Sequence, residues 1–296
     1  MQVLQPQQTM AKHGKSFYWA SIFLGPQLAD RAARLYQFCR FVDDLADGDL
    51  PDRQESLVDI RARLARTKIS AGPEIEDFIE LAKEADIPLH AAEELLDGML
   101  SDQKPAAFLD ERALLRYCHA VAGTVGLMMC RVLNCEHSRA DQFAIDLGVA
   151  MQLTNIARDV LEDAKMGRRY LPEAWINLDA AMLANPNKEQ REAGIIAIQK
   201  LLDLAERYYQ SAMLGIQLLP LRSRLSITIA LRVYRQIGIK LQHNHMAWWQ
   251  GRTVVGKTSK LWLSFKSLFD LIPVRVPDHR HQLHRHLQGL SGVDAS

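Results

Sequence analysis

Asp43, Asp44 and Asp47 fall within five positions of the stretch RFVDDLADGD, residues 40–49. A second acidic set, Asp159 and Asp163, stands in MQLTNIARDVLEDAKMGRRYLP, residues 151–172. Each set contains Asp-x-x-x-Asp, each is accompanied by an arginine (Arg40, Arg158), and each lies among apolar residues such as Phe41, Val42, Leu45, Leu153, Ile156 and Val160. Carboxylates this close repel one another and lose hydration when buried. Clustered carboxylates in apolar surroundings therefore demand cations, and oxygen donors with few His or Cys nearby select Mg2+ or Mn2+. Mg2+ keeps part of its shell for water and phosphate oxygens, so paired motifs of this kind can hold a diphosphate ester.

Other phosphate chemistries lack their sequence marks. There is no G-x-x-x-x-G-K-[ST] loop and no G-x-G-x-x-G, which argues against nucleotide and dinucleotide sites. The apolar setting of both acidic sets suits a long hydrocarbon on the diphosphate better than a nucleoside. No zinc-finger, RRM or recognition-helix signature supports nucleic acid as a partner.

The elements that must carry these residues are helices. Positions three, four, seven and eleven apart share one helical face. Tyr36, Arg40, Asp43 and Asp47 follow that spacing, and so do Gln152, Asn155, Asp159 and Asp163. The remaining faces of both segments are apolar, which predicts two nearly buried helices whose one polar stripe borders a cavity. Apolar residues recur at three and four along nearly the whole chain, as in Ile75, Phe78, Ile79, Leu81 and Ala82. Breakers at Gly25-Pro26, Gly48 to Pro51, Gly72-Pro73, Pro88, Pro105, Gly167, Asn185 to Asn187 and Pro220 space helices of roughly 15 to 25 residues. We read one all-α domain over residues 1–272.

After Ile272 the text changes to PVRVPDHRHQLHRHLQGLSGVDAS. Residues 273–296 read as a poorly packed basic tail, its four histidines solvated rather than metal-binding. Composition agrees with a globular protein: 296 residues, 48% hydrophobic and 24% charged. Cys39, Cys118, Cys130 and Cys135 sit in apolar segments without CxxC spacing and are expected to be reduced packing residues, which suits a cytoplasmic location. No signal-peptide layout and no uninterrupted apolar run of 18 residues is found, so contact with the inner face of a membrane is expected to be peripheral at most. The net charge of +1 hides a split: from Arg222 onward twelve Lys and Arg stand against three Asp and Glu. Such a basic end fits a phosphate-bearing ligand or anionic lipid.

At these motifs the chain resembles the squalene/phytoene synthase family, head-to-head prenyl transferases, and most closely its bacterial phytoene synthase branch. The stretches that carry the resemblance are HGKSFYWA (13–20), LYQFCRFVDDLAD (35–47), RYCHAVAGTVGLMM (116–129), LGVAMQLTNIARDVLEDAKMGRRYLP (147–172) and VYRQIGIKLQ (233–242). Two departures stand out: Gly14 where many relatives have Ser, and His119 where some have a second Tyr.

The resemblance implies the isoprenoid-synthase type of all-α fold with a central cavity. It implies that two geranylgeranyl diphosphates condense through a cyclopropyl (prephytoene) diphosphate to phytoene, with Mg2+ or Mn2+ and without NADPH. By the same resemblance Asp43, Asp44, Asp47, Asp159 and Asp163 hold metal, and Arg40 and Arg158 meet diphosphate. His13, Ser16, Tyr36, Gln152, Asn155, Tyr234 and Arg252 match positions that contact diphosphate or metal-bound water. Tyr117 matches a tyrosine associated with the rearrangement, and Glu162 stands beside the metal set. Phe17 is expected on the cavity wall or in the core. The small residues of AVAGTVG (120–126) are expected to permit close packing or hydrocarbon passage rather than to cradle phosphate. A monomer or weak homo-oligomer is expected. Alternatives to be separated are a farnesyl diphosphate-using squalene, dehydrosqualene or hydroxysqualene synthase, a non-catalytic relative, and a membrane-surface binding module.

Overall fold

The punctuation read from the sequence falls where helices begin and end. The computed structural model describes residues 5–48, 53–66, 72–102, 108–137 and 139–293. Among these there are thirteen α-helices and no β-strand. They are α1 (Pro6–His13), α2 (Lys15–Ser21), α3 (Pro26–Asp47), α4 (Arg53–Arg66), α5 (Pro73–Ala85), α6 (Leu89–Ser101), α7 (Glu111–Cys118), α8 (Thr124–Val132), α9 (Ala140–Lys165), α10 (Ala180–Ala184), α11 (Lys188–Gly215), α12 (Leu221–His243) and α13 (Lys257–Ser267).

Local chemistry accounts for the ends. Gly25 takes φ +83° so that Pro26 can open α3, and Pro73 opens α5 in the same way. Asn187 and Gln190 form a reciprocal capping box at the start of α11, and the Asp110 carboxylate accepts the Ala113 N–H at the start of α7. Pro220 caps α12 and Gly167 closes the turn after α9. Residues 49–51 of the Gly48 to Pro51 breaker, and Pro105, lie outside the described residues.

α9 is the axis of the molecule, packed by α8, α10, α11 and α12. Its core face buries Ile145, Val149, Leu153 and Ala157 completely. α8 and α9 cross at glycines. A Cβ on Gly126 would stand 2.3 Å from the Ala144 carbonyl oxygen, and one on Gly148 would stand 2.2 Å from that of Ala122. Ala122 and Gly126 therefore serve close helix packing, one of the two roles expected of residues 120–126, and both also line a cavity. Between α7 and α8 the helix continues through a π segment, His119–Gly123.

The continuous helical stretch Glu111–Val132 is long and apolar enough to cross a membrane. Its apolar side chains are used internally: Leu114, Leu115, Cys118 and Met128 are buried, while Val121, Val125 and Met129 line a cavity. All four cysteines are free, and three of them are buried.

The C-terminal segment departs from the expectation of a poorly packed, solvated tail. Leu283, Leu287 and Val293 are buried, and two of the four histidines, His279 and His284, are buried with them. Each presents Nε2 at 2.8 Å to a different oxygen of Asp146, itself fully buried on α9. The Tyr208 hydroxyl donates to the Leu283 carbonyl at 2.7 Å. Farther on, the Ser291 N–H donates to Glu94 at 3.0 Å, and the Ser291 carbonyl lies 3.0 Å from His119 Nε2. His119, the departure noted in the sequence, thus sits fully buried between Glu94, at 2.9 Å from Nδ1, and the end of the chain.

Candidate active site

Two adjoining apolar cavities occupy the middle of the helical array. The larger, about 270 Å3, lies between α8, α9, α11 and α12, with Phe143, Gly215 and Leu219 among its lining residues. The smaller, about 190 Å3, lies between α1, α2 and α3. Phe17, Val125, Met129, Leu133, Ile227 and Ala230 border both. Polar groups enter only at the rims: Gln152, Asn155 and Tyr234 on the larger, Ser21, Ser226 and Tyr36 on the smaller.

The two rims are joined by a row of rings. Phe17 lies 6.1 Å from Tyr36 and 5.0 Å from Tyr234, between centroids. Phe17 is thereby placed on the cavity wall. Burial pushes the Tyr36 hydroxyl up to about 12 against the opposing charge of Arg40, and burial likewise raises Tyr234, with Arg158 opposing. Both phenols stay protonated and available as donors.

Beyond Tyr234 lies the second acidic motif. The Arg158 guanidinium grips the neighbouring Asp159 through Nε at 2.7 Å and through Nη2. Arg252 reaches the same carboxylate with Nε at 2.9 Å, a link of 93 positions in sequence. Arg158 is mostly buried and Arg252 is exposed, so one cation faces the interior and the other the entrance. Asp163, one turn on, is mostly buried and its carboxyl is pushed up to about 7, first by burial and then by the charge of Asp159, with Asp102 and Glu162 adding and Arg168 opposing. Gln152 and Asn155 face each other one turn apart, 3.4 Å between Asn155 Nδ2 and Gln152 Oε1.

The first acidic motif is a rim feature, not a core one. Asp43 and Asp44 are 41% and 55% exposed in their side chains, both paired with Arg40, which reaches Asp43 at 3.0 Å through Nη1 and Asp44 through Nη2. The sequence predicts a nearly buried helix with its acidic stripe on a cavity, and for Asp43 and Asp44 the structure shows more exposure than that. Leu35, Phe38, Val42 and Ala46 do bury the other faces of α3, and the acidic stripe is what they leave outward. Asp47 ends the helix; its side chain lies outside the described residues. His13 is exposed at the end of α1 and Ser16 is half-buried in the first turn of α2. Gly14 between them is explained by Tyr36: a Cβ there would stand 2.8 Å from the ring's Cζ.

Tyr117 belongs to a third group that the sequence reading did not assemble. Its hydroxyl donates to Asp102 at 3.1 Å, and Tyr170 donates to both oxygens of Asp102 at 2.8 and 3.0 Å. The two rings stack at 5.4 Å, with Phe108 against both. Burial raises both phenols, and the Asp102 charge adds to it. The same charge reaches Asp163, which ties this group to the acidic motif of α9.

A divalent cation fits these donors. They are hard carboxylate oxygens, Glu162 Oε2 is buried without a hydrogen-bond partner, and Asp163 carries a carboxyl that a nearby cation would ionise. Asp159 and Asp163 on α9, with Glu162 beside them, and Asp43 and Asp44 on α3 are the carboxylates that would hold such ions, while the described side chains already gathered at metal-ligand distances are Asp146, His279 and His284.

The comparisons with known proteins point the same way. The model of the squalene/phytoene synthase family matches residues 10–259. A 15-cis-phytoene synthase of Paracoccus sp. is 34% identical, the match covering 93% of each chain. A phytoene synthase of Pseudescherichia vulneris is 36% identical over 86% of this chain and 87% of its own. Among solved structures, a dehydrosqualene synthase in complex with ligand superposes with a TM-score of 0.80 at 27% identity, covering 90% of this chain and 95% of that one. A squalene synthase from Alicyclobacillus acidocaldarius, at 19% identity and a TM-score of 0.70 over 81% of this chain and 93% of its own, shares the fold. With both acidic helices, the paired cavities and the match along most of its length, the chain belongs to the squalene/phytoene synthase family.

Proposed function

We propose that this chain is a 15-cis-phytoene synthase, which joins two geranylgeranyl diphosphates head to head in carotenoid biosynthesis. The observation that carries the reading is the pair of adjoining apolar cavities with charged residues one helical turn beyond a polar lining residue of each, Asp159 after Asn155 and Arg40 after Tyr36. Each cavity takes one hydrocarbon tail, and the diphosphates lie toward the arginines and carboxylates. The relatives at 34–36% identity carry the name phytoene synthase, which favours C20 over C15 substrate. The larger cavity supports this: its lining runs along α9 from Asn155 to Ala140, roughly 22 Å at 1.5 Å per residue, longer than an extended C15 tail.

The reaction has two ionisations. In the first, the C1–O bond of one substrate breaks, its C1 bonds to the double bond of the other, and loss of a proton closes the cyclopropane. In the second, the remaining C–O bond breaks, the cation rearranges to join the two C1 carbons, and loss of a proton leaves the central double bond of a triene. No reductant is needed, so NADPH has no part in it. Mg2+, when bound by the carboxylates, supplies positive charge against the departing diphosphate.

The chain's own residues do the rest. Arg158 and Arg252 on one side and Arg40 on the other bring cations to the leaving groups. Tyr36 and Tyr234, held protonated, donate hydrogen bonds at the rims. The apolar walls keep water from trapping the carbocations. Tyr117, whose hydroxyl is held by Asp102, is assigned here to the rearrangement step, as the phenol that attends the second cation. The test is incubation of purified protein with Mg2+ and either geranylgeranyl or farnesyl diphosphate, without NADPH. Phytoene from the C20 substrate is expected; a C30 hydrocarbon as the main product would reassign the chain to squalene or dehydrosqualene chemistry.

A further inference from the structure

Single exposed apolar side chains are ordinary, but a contiguous group is not. On α13 and the turn that follows it, Leu261, Trp262, Phe265, Phe269, Ile272 and Val274 are each more than half exposed. Trp262 stacks on Phe265 at 5.9 Å and Phe265 meets Phe269 edge-on at 5.8 Å. The inner face of α13 is already committed to the protein. Trp19 of α2 donates to Ser264 at 2.9 Å, Lys260 donates to the Lys15 carbonyl at 3.1 Å, and Leu263 and Ser267 are buried. The rings face outward because the other side of the helix is packed.

Among the described residues, the unpaired charges of this segment are cationic, since Asp270 and, farther on, Asp278 each pair with an arginine, Arg232 and Arg139. Lys257, Lys266 and Arg275 are exposed beside the patch, and Lys12 near the end of α1 and Lys15 at the start of α2 are exposed as well. Lys266 lies 5.3 Å over the Trp262 ring. The one carboxylate of residues 254–277, Asp270, is neutralised by Arg232 through bonds of 2.6 and 2.8 Å. Aromatic and aliphatic side chains bordered by exposed cations complement the boundary between acyl chains and anionic headgroups. A second copy of the chain is a poorer occupant, since a two-fold contact would set these cations against their own images.

α2 connects this surface to the interior. Phe17, Ala20 and Ser21 line the smaller cavity, while Tyr18 and Ile22 on the opposite side of the same helix are exposed. One helix separates an apolar chamber from an apolar surface. We propose that the face formed by α2 and α13 docks on an anionic lipid bilayer, which receives the hydrocarbon product past α2. The docking stands on the surface alone; the identity of what leaves rests on the function proposed above.

The experiment is co-sedimentation of the full chain, without substrate, with vesicles of phosphatidylcholine alone and with added phosphatidylglycerol, at low and physiological salt. Wild type is expected to partition at least about tenfold more to the anionic vesicles, less so as salt rises. Trp262→Glu with Phe265→Glu should lower that binding about tenfold or more, with the melting temperature and the turnover of detergent-dispersed substrate unchanged. Lys257→Glu with Lys266→Glu, which leaves the apolar face intact, should abolish the preference for anionic lipid. Absence of wild-type binding to anionic vesicles would overturn the proposal, as would variants that bind like wild type. A dimer by light scattering that the aromatic variant converts to monomer, without vesicle binding, would also overturn it and make the face a self-interface. Because no substrate is present, these results are independent of whether phytoene is made.

Discussion

At the scale of single residues, the acidic motifs were legible because each repeats the same residue type at helical spacing. Asp102 was not. It is a lone carboxylate at the end of α6, and its partners Tyr117 and Tyr170 lie 15 and 68 positions away. Only the folded chain brings the three together. Asp102→Asn keeps the shape but removes the charge that both phenols address, so we expect kcat to fall by about 10- to 100-fold with KM little changed, measured as hydrocarbon formed per enzyme. A fall confined to KM would mean that this group binds substrate rather than positions a reacting phenol. Gly14 offers a second test. Serine there would place its Cβ against the Tyr36 ring, which must tilt away from the rim of the smaller cavity. Gly14→Ser should raise KM several-fold while the melting temperature holds; unchanged kinetics would show that the Tyr36 tip is not needed for binding.

At the scale of elements, the helix boundaries followed from prolines, glycines and caps that act locally, whereas the fate of the C-terminal segment was hidden. Its anchors are few apolar residues and two histidines whose carboxylate partner, Asp146, is more than 130 positions away. No periodicity announces such a contact. Glu94 makes the attachment pH-dependent. Burial alone would raise its carboxyl, but hydrogen bonds from His119 and the Ser291 N–H outweigh this and hold it at about 2, below its ordinary 4.5. A carboxyl lowered by folding contributes stability above about pH 4.5 and loses it as the pH falls toward 2. Glu94→Gln should therefore lower the melting temperature at pH 7 by roughly 3–8 °C, from about 1.5–3 kcal/mol for a hydrogen-bonded charge, and the gap from wild type should narrow by pH 3. A gap independent of pH would assign the loss to packing. The α8–α9 crossing gives a sharper effect: Gly148→Ala drives a methyl into the Ala122 carbonyl, and a loss of about 1–3 kcal/mol or more is expected in chemical denaturation.

At the scale of the whole molecule, the sequence implied a cavity beside polar stripes, and the structure shows two adjoining cavities with Phe17 among the six residues that border both. That arrangement was beyond sequence reading because Phe17, Tyr36, Val125 and Tyr234 come from four different helices. We propose that the two tails occupy the two cavities, with their diphosphates under Arg40 on one side and Arg158 and Arg252 on the other. The decisive experiment follows both products of the C20 substrate, diphosphate and hydrocarbon, with Mg2+ and no NADPH, in wild type and in Asp43→Asn and Asp159→Asn. Wild type is expected to release two diphosphates for each phytoene formed, and each variant to lose phytoene by roughly a thousandfold, as for removal of charge-stabilising groups at an active centre. Phytoene formed by either variant at the wild-type rate, or diphosphate released without any hydrocarbon joined, would contradict it.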